Sequence, residues 1–359
     1  MFVNWNSGME SDAAAKWGVN FQTVALRTGI NYRIACKGQL NDNGTPCPPV
    51  FLIHGWPESW YSWRHQFSLA DLGYFVCAPD MRGYGDSYSP VDPSQYSIHH
   101  IAADLINLKA ALQIEQKVAL IGHDWGAIIC WLMSLLFPNH FSVVCCLSVP
   151  YAGWQKVKPT AAWKQFHGDN FFYINYHNES GNVAETEYDA KVEQFLYRIY
   201  TDKSVNKLPP VITDPKRAAG GFVDRLPQPT SLPKWLTQED LDYYVKEFKR
   251  SGFKGGVNYY RNFDNNWEFT SSHAGEKILQ PALFVAGADD MVIRMFGGEE
   301  VVKRNLENNV SNLTGCHIIP NCGHWIQQEA PDQTNSLIIS FLNTHYPVPE
   351  NIRSSRLRL

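Results

Sequence analysis

The chain has 359 residues, 44% hydrophobic and 18% charged, a globular composition that excludes a disordered protein. Its formal net charge of -4 gives neither a nucleic-acid backbone nor an anionic membrane an electrostatic reason to bind. The N-terminal stretch MFVNWNSGMESDAAAK has no basic segment followed by an apolar one, so no signal peptide is expected. The apolar stretches around 127–137 and 143–149 are too short to span a bilayer. Eight cysteines show no C-x-x-C pair and no zinc spacing, and several sit inside apolar runs. Buried reduced thiols and a cytoplasmic location are therefore expected. The terminal Leu357-Arg358-Leu359 loosely resembles a peroxisomal S-K-L tail but lacks its small first residue.

In chain order, residues 50–53 (VFLI) form a short apolar run ending in His54-Gly55, which predicts a buried strand. Residues 74–78 (YFVCA) predict another, closed by Pro79-Asp80. Residues 98–112 place Ile101, Leu105, Leu108 and Leu112 at helical spacing. Residues 118–121 predict a strand, 127–137 an apolar helix ending before Pro138, and 143–149 a further strand. Near-continuous apolar strands between helices imply a parallel sheet covered on both faces. From Pro150 to about Asn265 the pattern changes to helix-like stretches with Pro and Gly clusters, such as Pro209-Pro210, and no strong strand. Strands return at 282–286 and 316–319, and 333–341 closes as a helix. The expected architecture is a discontinuous core, residues 1–150 and 266–359, interrupted by a helical cap at 151–265.

After the strand at 118–121 comes Gly122-His123-Asp124-Trp125-Gly126 and then a helix, the elbow pattern of α/β-hydrolases. Glycines flank the central residue because side chains there would collide with the neighbouring strand and helix. The central residue is Asp124 where many such enzymes carry Ser. A carboxylate needs no base to activate it, and it attacks a saturated carbon bearing a leaving group to give an alkyl ester. The bland alternative is that Asp124 only caps the helix. Its expected partners follow in the order the fold requires. Asp290 stands past the strand at 282–286, with Asp289 as the competing acid, and His324 stands past the strand at 316–319. His324 is the expected general base and Asp290 its orienter. The backbone amides of Trp56, in His54-Gly55-Trp56-Pro57, and of Trp125 are the expected oxyanion hole. The segment DMRGYGDS (80–87) is read as a glycine-rich turn pinned by Arg82, without a chemical role.

With these residues in place the chain resembles the soluble epoxide hydrolase family, over nearly all of its length after about residue 20. HGWPESWYSWRHQ, DMRGYGDS, GHDWGA and NCGHW match that family's pattern. The resemblance implies an α/β-hydrolase core, a mostly parallel eight-stranded sheet flanked by helices, with the cap inserted after strand 6. It also implies two cap tyrosines that hydrogen-bond the epoxide oxygen. Tyr260 stands in the family's Y-R-N segment. Tyr173 stands six residues before Glu179 in a segment that ends E-S-G where the family has E-P-G, and nearby Tyr176 is the alternative. The chain resembles the family's shorter members, without a phosphatase-like domain. Trp56, Trp125 and Trp267 are expected to line a hydrophobic pocket, with ordinary packing as the other reading for Trp267. The implied partner is a small hydrophobic epoxide, with no nucleic acid, no metal and no organic cofactor required. Haloalkane dehalogenases share the Asp nucleophile and give the rival activity; a non-catalytic binding protein of the same fold is the second rival.

Overall fold

The computed structural model describes residues 8–42, 44–201, 212–215 and 220–356. The terminal tripeptide and Pro209-Pro210 lie outside the described residues. Eight strands build the main sheet: β1 (Asn20–Ala25), β2 (Asn31–Lys37), β3 (Pro49–Ile53), β4 (Phe75–Pro79), β5 (Val118–His123), β6 (Phe141–Leu147), β7 (Ile278–Gly287) and β8 (Val310–Ile319). Their order is β1-β2-β4-β3-β5-β6-β7-β8. β2 runs antiparallel to both its neighbours, and every other adjacent pair is parallel. All residues of β3, β4 and β5 are buried, because helices cover both faces of the parallel part of the sheet. The eight cysteines are all free thiols. Among the described residues no helix is long and apolar enough to cross a membrane.

The chain leaves β3 for β4 on one side and β5 for β6 on the other. The order therefore reverses between β3 and β5, the point where open α/β sheets form a crevice at their C-terminal ends. Asp124 follows β5 and the His54–Pro57 turn follows β3, so both emerge into that crevice. Asp290 and His324 follow the adjacent strands β7 and β8.

Between β6 and β7 the chain forms a helical region above the same edge. One antiparallel pairing interrupts the helices, Asn170–Phe171 with Ile212–Pro215. No apolar run marks it, because a two-residue strand is too short to leave one. The helix Gln238–Ser251 is bonded to the core through buried groups. Its capping box joins Thr237 and Asp240. Trp60 Nε1 donates to Tyr243 Oη at 2.7 Å, Tyr61 Oη to Asp240 Oδ1 at 2.8 Å, and Arg33 Nη2 to Glu247 Oε2 at 2.5 Å.

The next helix, Lys254–Tyr260, lies on the turn at 80–87. A Cβ on Gly255 would stand 2.1 Å from the Gly83 carbonyl oxygen, so only glycine permits this approach. Gly83 itself adopts φ +84°. The turn is held by Arg82, whose Nε and Nη2 bind Asp104 at 2.7 and 2.8 Å. The Tyr259 hydroxyl then donates to the Arg82 carbonyl at 2.9 Å. The glycine-rich turn thus sets the height of Tyr260 above the sheet.

Candidate active site

Asp124 sits at φ 54° and ψ −119°, a strained conformation for a residue with a Cβ. Tight packing enforces it. A Cβ on Gly122 would lie 2.2 Å from the Gly126 carbonyl oxygen, and one on Gly126 would lie 1.8 Å from that of Ile53. The Trp56 amide donates to Asp124 Oδ1 at 2.8 Å, and His324 Nε2 stands 3.4 Å from Oδ2. The two carboxylate oxygens therefore face different partners. Burial alone would raise the Asp124 pKa. The His324 contact and charge, the nearby His123 and the Trp56 N–H outweigh burial and hold it below the usual carboxylate value. Trp125 is the first residue of the helix Trp125–Leu136, beside Asp124.

His324 Nδ1 faces both oxygens of Asp290, at 3.1 and 3.0 Å. Asp290 is fully buried and also accepts the Val292 amide at 2.9 Å, so its carboxylate is fixed from two sides. Asp289 is half-buried, and its place is fixed by its own amide bonding the Cys322 carbonyl at 2.8 Å. Burial lowers the His324 pKa, but Asp290 and Asp124 together push it well above the ordinary histidine value.

Several residues that the sequence did not single out hold this arrangement. The His324 carbonyl accepts from Ser148 Oγ at 2.8 Å and from His123 Nε2 at 2.7 Å. His123 Nδ1 meets Glu58 Oε2 at 2.8 Å, and Glu58 also accepts the Gly55 amide at 2.6 Å and Gln327 Nε2 at 2.9 Å. Glu58 therefore ties the turn after β3 to the backbone of His324. Both partners lie in segments read above, HGWPE and GHDWG, but nothing in one sequence shows that they meet.

The cavity at Asp124 has two lobes, of about 60 and 270 Å³. Asp124, Tyr173, Tyr260 and Val292 border both, so the carboxylate lies at their junction. Tyr173 begins the short helix Tyr173–His177, and its ring lies 6.0 Å from that of Tyr260 at 78°. Burial first, and the charge of Asp124 second, raise both phenol pKa values above the ordinary tyrosine value. Both hydroxyls therefore keep their protons at neutral pH. Tyr176 turns away: its hydroxyl donates to Glu187 Oε2 at 2.9 Å, and it borders neither lobe.

The Trp56 ring lines the smaller lobe and the Trp125 ring the larger. Trp267 is placed elsewhere, which corrects its expected place in the pocket. It stacks on Trp154 with ring centroids 5.0 Å apart, and its indole N–H bonds the Gln155 carbonyl at 2.6 Å. Its helix, Phe263–Phe269, points Phe263 at the larger lobe instead. Apolar walls with one carboxylate, one imidazole and two phenols suit a small apolar electrophile that releases an oxygen anion.

A family model described as the alpha/beta hydrolase fold matches residues 48–331. Epoxide hydrolase A of Mycobacterium tuberculosis is 40% identical over 334 residues, covering 90% of this chain and 98% of its own. Epoxide hydrolase 2 of Siraitia grosvenorii is 36% identical and covers 89% and 97%. Among solved structures, epoxide hydrolase A from Mycobacterium thermoresistibile superposes with a TM-score of 0.81 at 40% identity, over 90% of this chain and 98% of that one. An epoxide hydrolase from an endophytic Streptomyces gives 0.82 at 36% identity, over 91% and 96%.

Proposed function

We propose a mechanism on the premise those relatives supply: the chain belongs to the epoxide hydrolase family of the α/β-hydrolase fold and is an epoxide hydrolase. One observation carries the assignment of roles. The Asp124 carboxylate lies where two protonated phenols, Tyr173 and Tyr260, border the same cavity, and a histidine approaches its second oxygen at 3.4 Å.

Asp124 Oδ2 attacks one ring carbon from the face opposite the breaking C–O bond. The departing oxygen develops the charge of an alkoxide. Tyr173 and Tyr260 donate hydrogen bonds to it, and one phenol delivers its proton. The product is an alkyl ester on Asp124 with a free hydroxyl on the neighbouring carbon. A halide leaving group would need no such proton, and the paired phenols therefore favour the epoxide over the haloalkane.

Esterification removes the negative charge of Asp124. One of the causes that raises the His324 pKa disappears with it, while burial and Asp290 remain. The imidazole becomes easier to deprotonate once the ester has formed. The proton His324 sheds equals in number the one the phenol has lost, so solvent exchange restores both groups. Neutral His324, oriented by Asp290, then takes a proton from water. The hydroxide adds to the ester carbonyl carbon, and charge collects on Oδ1, where Trp56 N–H already donates at 2.8 Å. The Trp125 amide is the second donor. Each such donor contributes roughly 10²–10³-fold to the rate. Collapse releases a vicinal diol and regenerates the carboxylate.

The test is His324→Gln. Ring opening continues while hydrolysis stops, so intact-protein mass spectrometry shows the mass of one added substrate. Normal steady-state turnover by this variant would remove His324 from the role of base.

A further inference from the structure

A third hollow lies outside the two lobes, where the cap helix Pro159–His167 faces the core helix Met291–Met295. Its volume is about 350 Å³, larger than either lobe. Trp163 and Met295 border both this hollow and the larger lobe, and form a neck between them. The rest of its wall is apolar or neutral: Ala162, Phe166, Phe172 and His167. Burial lowers the His167 pKa, and the ring stacks on Phe172 at 3.9 Å. Phe166 stands 77% exposed on one lip, although burying a phenyl group is favourable. The other lip carries Arg294, the one permanently charged residue of the lining. Among the described residues its guanidinium has neither an ion pair nor a hydrogen bond.

We propose that Arg294 and this hollow recognise an anionic group, a carboxylate, at the far end of an apolar chain whose epoxide ring rests at Asp124. The inference depends on the reaction assigned above. A guanidinium presents a planar fork that matches a carboxylate. The apolar walls between Asp124 and Arg294 match an apolar chain and offer nothing to a polar one. The chain as a whole carries a net charge of -4 and repels acids, so a preference for one must come from a local cation. Because Arg294 is exposed, the preference is modest, about fivefold at low salt, and shrinks as salt is added.

A homologous series of terminal epoxyalkanoates and their methyl esters provides the test. The readout is the ratio of kcat/KM for acid over ester, measured for the wild type, Arg294→Gln and Arg294→Glu. We expect a ratio near one for short chains and about five once the chain reaches the rim. Arg294→Gln returns the long-chain ratio to about one, and Arg294→Glu inverts it. Damage to the fold would lower both rates together and leave the ratio alone. A ratio that ignores chain length, or survives Arg294→Gln, overturns the proposal. If no epoxide in the series is turned over, the assigned reaction fails instead. Calorimetric binding of the dihydroxy acid against its ester then still reads the subsite: equal affinities overturn it, and tighter binding of the acid that is lost in Arg294→Gln upholds it.

Discussion

Replacing Tyr173 and Tyr260 by Phe, singly and together, isolates the ring-opening step. Each substitution removes one hydroxyl and keeps the ring, so the contacts of Tyr260 with Trp56 at 5.6 Å and Trp125 at 5.2 Å survive. A hydrogen bond to a charged group contributes about 1.5–3 kcal/mol, and here that charge exists only in the transition state and product. Each single variant should therefore slow alkylation about 10- to 150-fold. The remaining phenol can still deliver a proton. The double variant loses general-acid assistance as well, typically worth about 10²–10⁴-fold, so it should fall well below either single variant. Stopped-flow tryptophan fluorescence under single-turnover conditions reads the alkylation rate, because Trp56 and Trp125 border the cavity. Tyr176→Phe is the control, since its hydroxyl bonds Glu187 and the residue borders neither lobe. The reasoning fails if either single variant alkylates at the wild-type rate, or if the double variant matches the singles.

The two half-reactions should part company in their dependence on pH. Alkylation needs ionised Asp124, whose pKa is depressed, so its rate should fall only at pH values below the ordinary carboxylate range. Hydrolysis needs neutral His324, so as pH drops its rate should fall first, at a higher pH than alkylation does, because the imidazole of the alkyl-enzyme takes up a proton. Neither rate should show a phenol-controlled decline below about pH 10, because both tyrosine pKa values are raised. Rapid-quench kinetics separate the two steps, and coincident acid limbs would contradict the scheme. Gly126→Ala should destabilise the fold by several kcal/mol, about 3 or more, because its Cβ would stand 1.8 Å from the Ile53 carbonyl oxygen. Gly275→Ala, at φ +85° with no neighbour within 4 Å, should cost about 1 kcal/mol, and urea denaturation midpoints compare the two.

The strands β3 to β7 were legible because a parallel sheet covered on both faces leaves uninterrupted apolar runs. β1 and β2, NFQTVA and NYRIACK, lack such runs. β1 is an edge strand with mixed exposure. β2 buries Arg33, which no pattern of apolar residues would place in a core, and it does so beside Asp80 and Glu247. β8 extends back to Val310 through a half-exposed polar stretch, so only its last residues stood out.

Asp124, Asp290 and His324 could be marked because each follows a strand, and strand order brings strand ends together. The cap offers no such rule. Tyr173 and Tyr176 lie less than one helical turn apart, and only the bond to Glu187 shows which hydroxyl leaves the cavity. Trp267 packs on Trp154 for the same reason: helix packing in the cap, and not position in the chain, decides which aromatic rings reach the lobes. Glu58 and His123 belong to motifs legible in the sequence, but their contact joins two different strand ends, which no local pattern reveals.

Isotope transfer tests the covalent step most directly. The wild-type enzyme reacts with a stoichiometric amount of epoxide in ¹⁸O water, and the peptide holding Asp124 is weighed beside the diol. If the carboxylate is the nucleophile, the first diol carries an old carboxylate oxygen and the peptide gains the label. An unlabelled peptide beside a labelled diol would mean that water opens the ring itself, and the role given to Asp124 would be wrong.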